Sequence, residues 1–222
     1  MNGVTTVLLD LDGTLTDPYL GISRSFAHAM DVLGTPLPPD FDYRPCIGPP
    51  IRDALARIVG DDPDVQSRAI VAYRERYATI GLFENVVYDG IGAMLERLRA
   101  SFRLFVCTSK PHVFATRILD RFGLAEPFER VYGAELDGTR GDKAQLMAWL
   151  LEREGIDPHD ALMLGDRSYD IVAARANGVA HAGVLWGYGS PAEFHAAGCT
   201  RTFAQPAEVT VVALHAIVAP LP

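Results

Sequence analysis

The sequence contains no apolar run that approaches the roughly 20 residues needed to span a bilayer. Its amino terminus also lacks the basic segment and the long apolar core that are typical of a secretory signal. We therefore expect a cytoplasmic protein that has no membrane partner.

An excess of positive charge is also missing. Lys and Arg number 20 against 28 Asp and Glu, which gives a formal net charge of -8. Such a balance opposes non-specific binding to nucleic acid or to an anionic surface, so we expect no nucleic-acid partner. A small, locally guided substrate is easier to reconcile with this charge.

Cysteine is scarce and unpatterned. The three cysteines, Cys46, Cys107 and Cys199, are widely spaced and form no C-x-x-C pair of the kind that binds metal. We interpret them as reduced thiols, with Cys107 a small core residue of a buried strand.

From Asp89 onward the hydrophobic pattern alternates between helix and strand, which indicates a parallel sheet with crossover helices. The apolar run Val7–Leu9 belongs with this part as a buried strand. The later strands are predicted at these positions: 102–107, near Val131, 161–164 and about 182–186.

The segment from Tyr19 to Ile80 contains helix signals and little that resembles a strand. The predicted fold is therefore α/β, with a Rossmann-like three-layer α/β/α core at residues 1–16 and 83–222. A small helical-bundle domain at residues 17–82 is inserted into it.

Two carboxylates follow the first strand, one residue apart, just before a glycine. Side chains alternate along a strand, so Asp10 and Asp12 should project on the same side, at the carboxyl edge where open α/β sheets bind ligands. Like charges held that close require either a cation between them or a proton on one of them.

Further polar groups follow later predicted strands. Thr108 and Ser109 precede a predicted helix, where their hydroxyl and backbone N–H groups could bind an anion. Lys143 begins another predicted helix, and its ammonium group could bind a phosphate. Asp166 and Asp170 follow the strand at 161–164. Together these residues predict an anion and cation site at one sheet edge.

In order and spacing these motifs resemble those of the haloacid dehalogenase superfamily phosphatases, in the phosphoglycolate phosphatase-like branch. The D-x-D-G-T motif is Asp10–Thr14, the hydroxyl motif contains Thr108, and the G-D-x-x-x-D motif is Gly165–Asp170. Lys143 fits the family's lysine better than Lys110, which lies inside the hydroxyl motif. The inserted helices are similar to the family's small helical cap, so the resemblance covers essentially the whole chain.

The resemblance implies a Mg²⁺-dependent phosphatase acting on a small phosphorylated metabolite, with phosphoglycolate as the first guess. Asp10 would be the nucleophile that forms an aspartyl phosphate, and Asp12 the general acid and base. The metal would be held by Asp10, by the backbone carbonyl of Asp12 and by Asp166, with Asp170 supporting these ligands. The groups that would hold the substrate phosphate are Thr108, Ser109, Lys143 and Gly13.

Several alternatives stay open. A phosphomutase, or a nucleotide or pyrophosphate hydrolase, could use the same fold, and so could an inactive binding protein. Dehalogenation is disfavoured because hydrolysis of a carbon–halogen bond needs no acidic group at the position of Asp12. Phosphonate hydrolysis is disfavoured because it would need a lysine in the inserted segment, and Tyr19–Ile80 contains none. Arg24, Arg52 and Arg74 are candidate substrate contacts in the inserted segment. We expect a monomer or a homodimer.

Overall fold

The computed structural model of the protein describes residues 3–218, which form two compact units. One unit is Asp17–Val86, and the other comprises the described residues before Asp17 and after Val86. The predicted role of the inserted unit as a cap stays a prediction.

The larger unit contains a six-stranded sheet whose neighbouring strands pair in parallel. In chain order the strands of the protein are β1 (Thr6–Leu9), β2 (Thr16–Asp17), β3 (Val86–Val87), β4 (Arg103–Pro111), β5 (Arg130–Ala134), β6 (Ala161–Gly165), β7 (Ala180–Val184) and β8 (Thr202–Phe203). The order within the sheet is β5-β4-β1-β6-β7-β8, and β2 pairs separately with β3. The predicted α/β fold with a parallel sheet is confirmed.

The first three helices follow one another, and the later helices alternate with the strands. They are α1 (Tyr19–Leu33), α2 (Ile51–Val59), α3 (Pro63–Tyr77), α4 (Ile91–Arg99), α5 (His112–Arg121), α6 (Lys143–Glu154), α7 (Ser168–Ala176), α8 (Pro191–Ala196) and α9 (Val211–Val218). Strand β1 is buried along its whole length and lies between β4 and β6. The carboxyl ends of these three strands therefore meet near the middle of one sheet edge.

One cluster of buried apolar residues packs α6 and α7 against the sheet. Side chains of three central strands, Leu8, Phe105 and Met163, form one cluster with buried residues of α6 and α7. The α6 members of that cluster are Leu146, Met147, Leu150 and Leu151. Helix α6 begins at Lys143, so this packing also fixes the position of Lys143 at the carboxyl edge of the sheet.

The inserted unit is helical, as its sequence predicts. Helices α1 and α3 pack along each other, and the rings of Phe26 and Tyr73 are 4.8 Å apart between centroids. Helix α1 is capped at its carboxyl end by Gly34, which has a φ of 76° in the left-handed region that favours glycine. Helix α3 is capped at its amino end by Asp62, whose carboxylate accepts backbone N–H bonds in the first turn.

Some element boundaries differ from the prediction. The strand expected at about 182–186 is β7, Ala180–Val184, because the apolar residues Leu185 and Trp186 continue the pattern beyond the last ladder position. Helix α8 and strand β8 are not predicted at all. They have six and two residues, which is too short for a periodic signal.

All three cysteines are free and buried. Cys107 lies in β4. Burial raises the pKa of its thiol to about 12, so the thiol is a neutral core group rather than a nucleophile. Within residues 3–218, no helix combines the length and the apolar character needed to cross a membrane.

Replacement of Leu150 by Ala tests the packing that holds α6. Leu150 is fully buried, so we expect the free energy of unfolding to fall by about 2–5 kcal/mol in urea titrations. The control is Val212→Ala, since Val212 is 80% exposed and its truncation should change stability by no more than about 0.5 kcal/mol. Equal losses in the two variants would contradict this account of the core.

Candidate active site

Asp10 and Asp12 lie in a tight turn directly after β1. The backbone N–H of Asp10 donates to the carbonyl of Leu164 at 3.0 Å, and that of Gly13 donates to Thr16 at 2.8 Å. Gly13 has a φ of 83°, where a residue with a side chain would be strained. Asp10 and Asp12 are only 4% and 8% exposed, so both carboxylates are buried at the sheet edge.

Lys143 lies against two of the carboxylates. Its Nζ is 3.0 Å from Oδ1 of Asp10, and it also donates to Oδ1 of Asp170. Helix α6 presents this lysine from its first residue, and the side chain of Asp142 caps that helix by accepting the N–H of Gln145 at 2.9 Å. Asp142 is the helix cap that the sequence predicts. Lys143 lies beside Asp10 and Asp170, which are predicted for the same site. Its phosphate-binding role stays a prediction.

Lys110, which the sequence ranked below Lys143 as the family's lysine, is a second buried lysine at the site. Its Nζ is 2.5 Å from Oδ2 of Asp12. Thr108 is also buried, and its hydroxyl oxygen accepts the N–H of Lys110 at 3.3 Å. The two-residue spacing on one strand could have revealed Lys110, since side chains alternate along a strand. Ser109 lies half-buried between them, and its predicted phosphate-binding role stays a prediction.

Asp166 is packed against the turn that follows β1. Its Oδ2 accepts the N–H of Tyr188 at 2.8 Å, and the Thr14 hydroxyl is 3.5 Å from its Oδ1. A Cβ on Gly13 would be 2.0 Å from Asp166 Oδ2, and one on Gly187 would be 2.2 Å from the Gly13 carbonyl oxygen. Three chain segments therefore approach each other more closely than any side chain would allow.

Asp170, in the first turn of α7, has both carboxylate oxygens occupied. Lys143 donates to Oδ1, and the backbone N–H of Arg167 donates to Oδ2 at 2.9 Å. Asp170 therefore contacts the same lysine as Asp10. Its predicted supporting role stays a prediction.

The two lysines do not fully offset the effect of burial on the pKa values of the acidic residues. Burial raises the pKa of Asp12, although Lys110 opposes the shift. Burial, with the nearby charges of Asp170 and Asp10, raises the pKa of Asp166 well above its ordinary value. Burial alone would lower the pKa of Lys143, but the two carboxylates beside it outweigh burial and raise it.

The acidic residues fit a divalent cation. Asp10, Asp166 and Asp170 are buried and each offers a carboxylate oxygen, all within 4.8 Å of one another. Within the described part of the chain, Oδ1 of Asp10 accepts no hydrogen bond, although Lys143 is at ion-pair distance. Carboxylate oxygens are the donors that Mg²⁺ prefers, so the chemistry of these residues suits that ion.

The chain is similar in sequence to known proteins. The haloacid dehalogenase-like hydrolase family matches residues 7–184. A 5'-nucleotidase of Pseudomonas aeruginosa is 44% identical over 191 residues, which are 86% of this chain and 86% of that protein. The chain belongs to the haloacid dehalogenase-like hydrolase family, and the predicted enzyme class, a phosphatase of this family, is confirmed.

Other relatives bear on the finer function. The crystal structure of a predicted phosphatase from Clostridium acetobutylicum superimposes with a TM-score of 0.90 at 35% identity, covering 94% of this chain and 97% of that one. Tyrosine-protein kinase PtkA of Mycobacterium tuberculosis is 43% identical over 82% of this chain, which spans 62% of that protein. Proteins named phosphoglycolate phosphatase also match, at 26–28% identity.

Replacement of Gly187 by Ala tests the close approach beside Asp166. Its Cβ would meet the Gly13 carbonyl at 2.2 Å, so we expect a loss of about 1–3 kcal/mol in the free energy of unfolding. The control is Gly92→Ala on α4, where an added Cβ meets nothing within 4 Å. That change should leave stability unchanged or raise it by up to about 1 kcal/mol. Equal stability of the two variants would show that the approach is not close.

Proposed function

We propose that this chain is a Mg²⁺-dependent phosphatase that hydrolyses a small phosphomonoester through an aspartyl phosphate on Asp10. The observation that carries the proposal is the buried Asp10 carboxylate, 3.0 Å from Lys143 Nζ and clustered with Asp166. A nucleophilic carboxylate beside an ammonium is suited to attack phosphorus, because the same ammonium attracts the phosphoryl oxygens.

Asp10 and Asp12 divide the covalent and the proton chemistry. An oxygen of Asp10 attacks phosphorus while the bond to the leaving oxygen breaks, and Asp12 gives its proton to that leaving oxygen. Asp12 then takes a proton from the water that attacks the aspartyl phosphate, which releases inorganic phosphate and restores Asp10. Lys110, 2.5 Å from Asp12, holds this carboxyl group in place.

The remaining residues bind and neutralise. Mg²⁺ would be held by the Asp10 carboxylate, the Asp12 backbone carbonyl and Asp166, and when bound it supplies positive charge to the phosphoryl oxygens. The phosphate would be held by these groups: Thr108, Ser109, Lys143 and the turn at Gly13. Asp170 keeps Lys143 oriented toward Asp10.

The substrate class that we propose to test first is the nucleoside 5'-monophosphates. A relative named 5'-nucleotidase is 44% identical, whereas relatives named phosphoglycolate phosphatase are 26–28% identical. In this proposal, phosphoglycolate ranks second and the inserted helical unit supplies the substrate selectivity.

Phosphotransfer to protein tyrosine is a second candidate, favoured by 43% identity to PtkA. It shares the capture of a phosphoryl group but requires a nucleotide donor and a tyrosine acceptor. Incubation with ATP and a tyrosine peptide tests this candidate, since a tyrosine kinase forms phosphotyrosine and the phosphatase proposal predicts none.

Replacement of Asp10 by Asn tests the nucleophile. We expect hydrolysis of an aryl phosphate to require Mg²⁺, to stop on chelation, and to fall by about 10³-fold or more in Asp10→Asn. The control is Asp120→Asn, because Asp120 is an exposed carboxylate on α5 and its loss should leave turnover unchanged. Metal-independent turnover by Asp10→Asn would exclude the mechanism.

A panel of phosphorylated metabolites tests the substrate. Measured kcat/KM values should be highest for nucleoside 5'-monophosphates when they are compared with phosphoglycolate, sugar phosphates and pyrophosphate. A higher value for phosphoglycolate would overturn the ranking while leaving the phosphatase mechanism intact.

A further inference from the structure

We propose that Glu193, on α8, is a positioning residue that fixes the Asp166–Asp170 loop in the geometry that binds Mg²⁺. This inference rests on the proposed Mg²⁺-dependent function. Glu193 lies outside the acid cluster and outside the D-x-D-G-T and G-D-x-x-x-D motifs.

A single oxygen of Glu193 accepts two hydrogen bonds from that loop. Its Oε1 is 3.0 Å from Nε of Arg167 and 2.7 Å from the backbone nitrogen of Ser168. Arg167 and Ser168 directly follow Asp166, and the backbone N–H of Arg167 donates to Asp170 Oδ2 at 2.9 Å. Glu193 therefore holds the stretch of backbone that lies between two of the clustered acids.

Helix α8 presents Glu193 from a fixed position. Its neighbour Phe194 is fully buried and packs in one cluster with Ile171 of α7. At the other end of α7, the Arg175 side chain donates to the carbonyl of Ala197 at 2.6 Å. Two contacts independent of Glu193 thus join α8 to α7, so we expect a protein that lacks the Glu193 carboxylate to keep its fold.

The charge of Glu193 suits this role. Burial alone would raise the pKa of Glu193, but the hydrogen bonds from Ser168 and Arg167 outweigh burial and lower it. The ionised carboxylate accepts an N–H in the first turn of α7, where a helix favours negative charge. This interaction favours the loop conformation in which Asp166 and Asp170 face the cluster.

Groups that orient metal ligands commonly change metal affinity by about 10–100-fold when they are removed. We therefore expect Glu193→Ala to need about 10-fold more Mg²⁺ than the wild type. Glu193→Gln should need an intermediate amount, because its amide oxygen can still accept the N–H of Ser168.

The experiment follows the melting temperature of the full chain across a Mg²⁺ titration, without substrate, and obtains the Mg²⁺ dissociation constant from the logarithmic rise of stability with Mg²⁺ concentration. The matched control is Glu129→Gln, which removes an exposed carboxylate paired with Arg103 at 2.8 Å. This control should titrate like the wild type.

Wild-type Mg²⁺ dependence in a folded Glu193→Ala protein, or an equal weakening in Glu129→Gln, would overturn the proposal. If Glu193→Ala does not fold, then Glu193→Gln decides, and an unchanged Mg²⁺ dissociation constant in that variant overturns the proposal as well. A wild-type protein whose melting temperature does not respond to Mg²⁺, and whose turnover survives chelation, would instead contradict the proposed function.

Discussion

Four carboxylates and two lysines are buried together at one edge of a parallel sheet, and the surrounding structure depends on how their charges are balanced. Lys143 contacts Asp10 and Asp170, and Lys110 contacts Asp12. Asp166 receives hydrogen bonds from the neutral Tyr188 N–H and Thr14 hydroxyl groups. Burial of an uncompensated charge costs several kcal/mol, so a divalent cation bound among these acids would stabilise the edge as well as serve chemistry.

The fold brings these charges together through elements that are fixed elsewhere. Strands β1, β4 and β6 are adjacent and parallel, so residues after their carboxyl ends meet without long loops. Helix α6 carries Lys143 and is anchored by Leu146, Met147 and Leu150 in the core. Gly13 and Gly187 remove side-chain volume where the β1 turn, Asp166 and the segment after β7 approach each other.

Much of this could be predicted from the sequence because the signals are local. The D-x-D-G-T turn, the Asp142 cap and the buried strands each lie within a few consecutive residues. Lys110 was given no role because the resemblance requires one lysine, and Lys143 fits that position better. Glu193 could not be predicted, since its contact with Ser168 crosses 25 residues and depends on a six-residue helix that has no periodic pattern.

The most direct test of the central claim is to trap the phosphoryl-enzyme. The enzyme is mixed with a phosphomonoester and Mg²⁺, treated with borohydride to reduce any acyl phosphate to an alcohol, and digested for peptide mass spectrometry. An aspartyl phosphate at Asp10 predicts substrate-dependent homoserine at that position. Homoserine at Asp12 instead, or none anywhere while phosphate is released, would contradict the account.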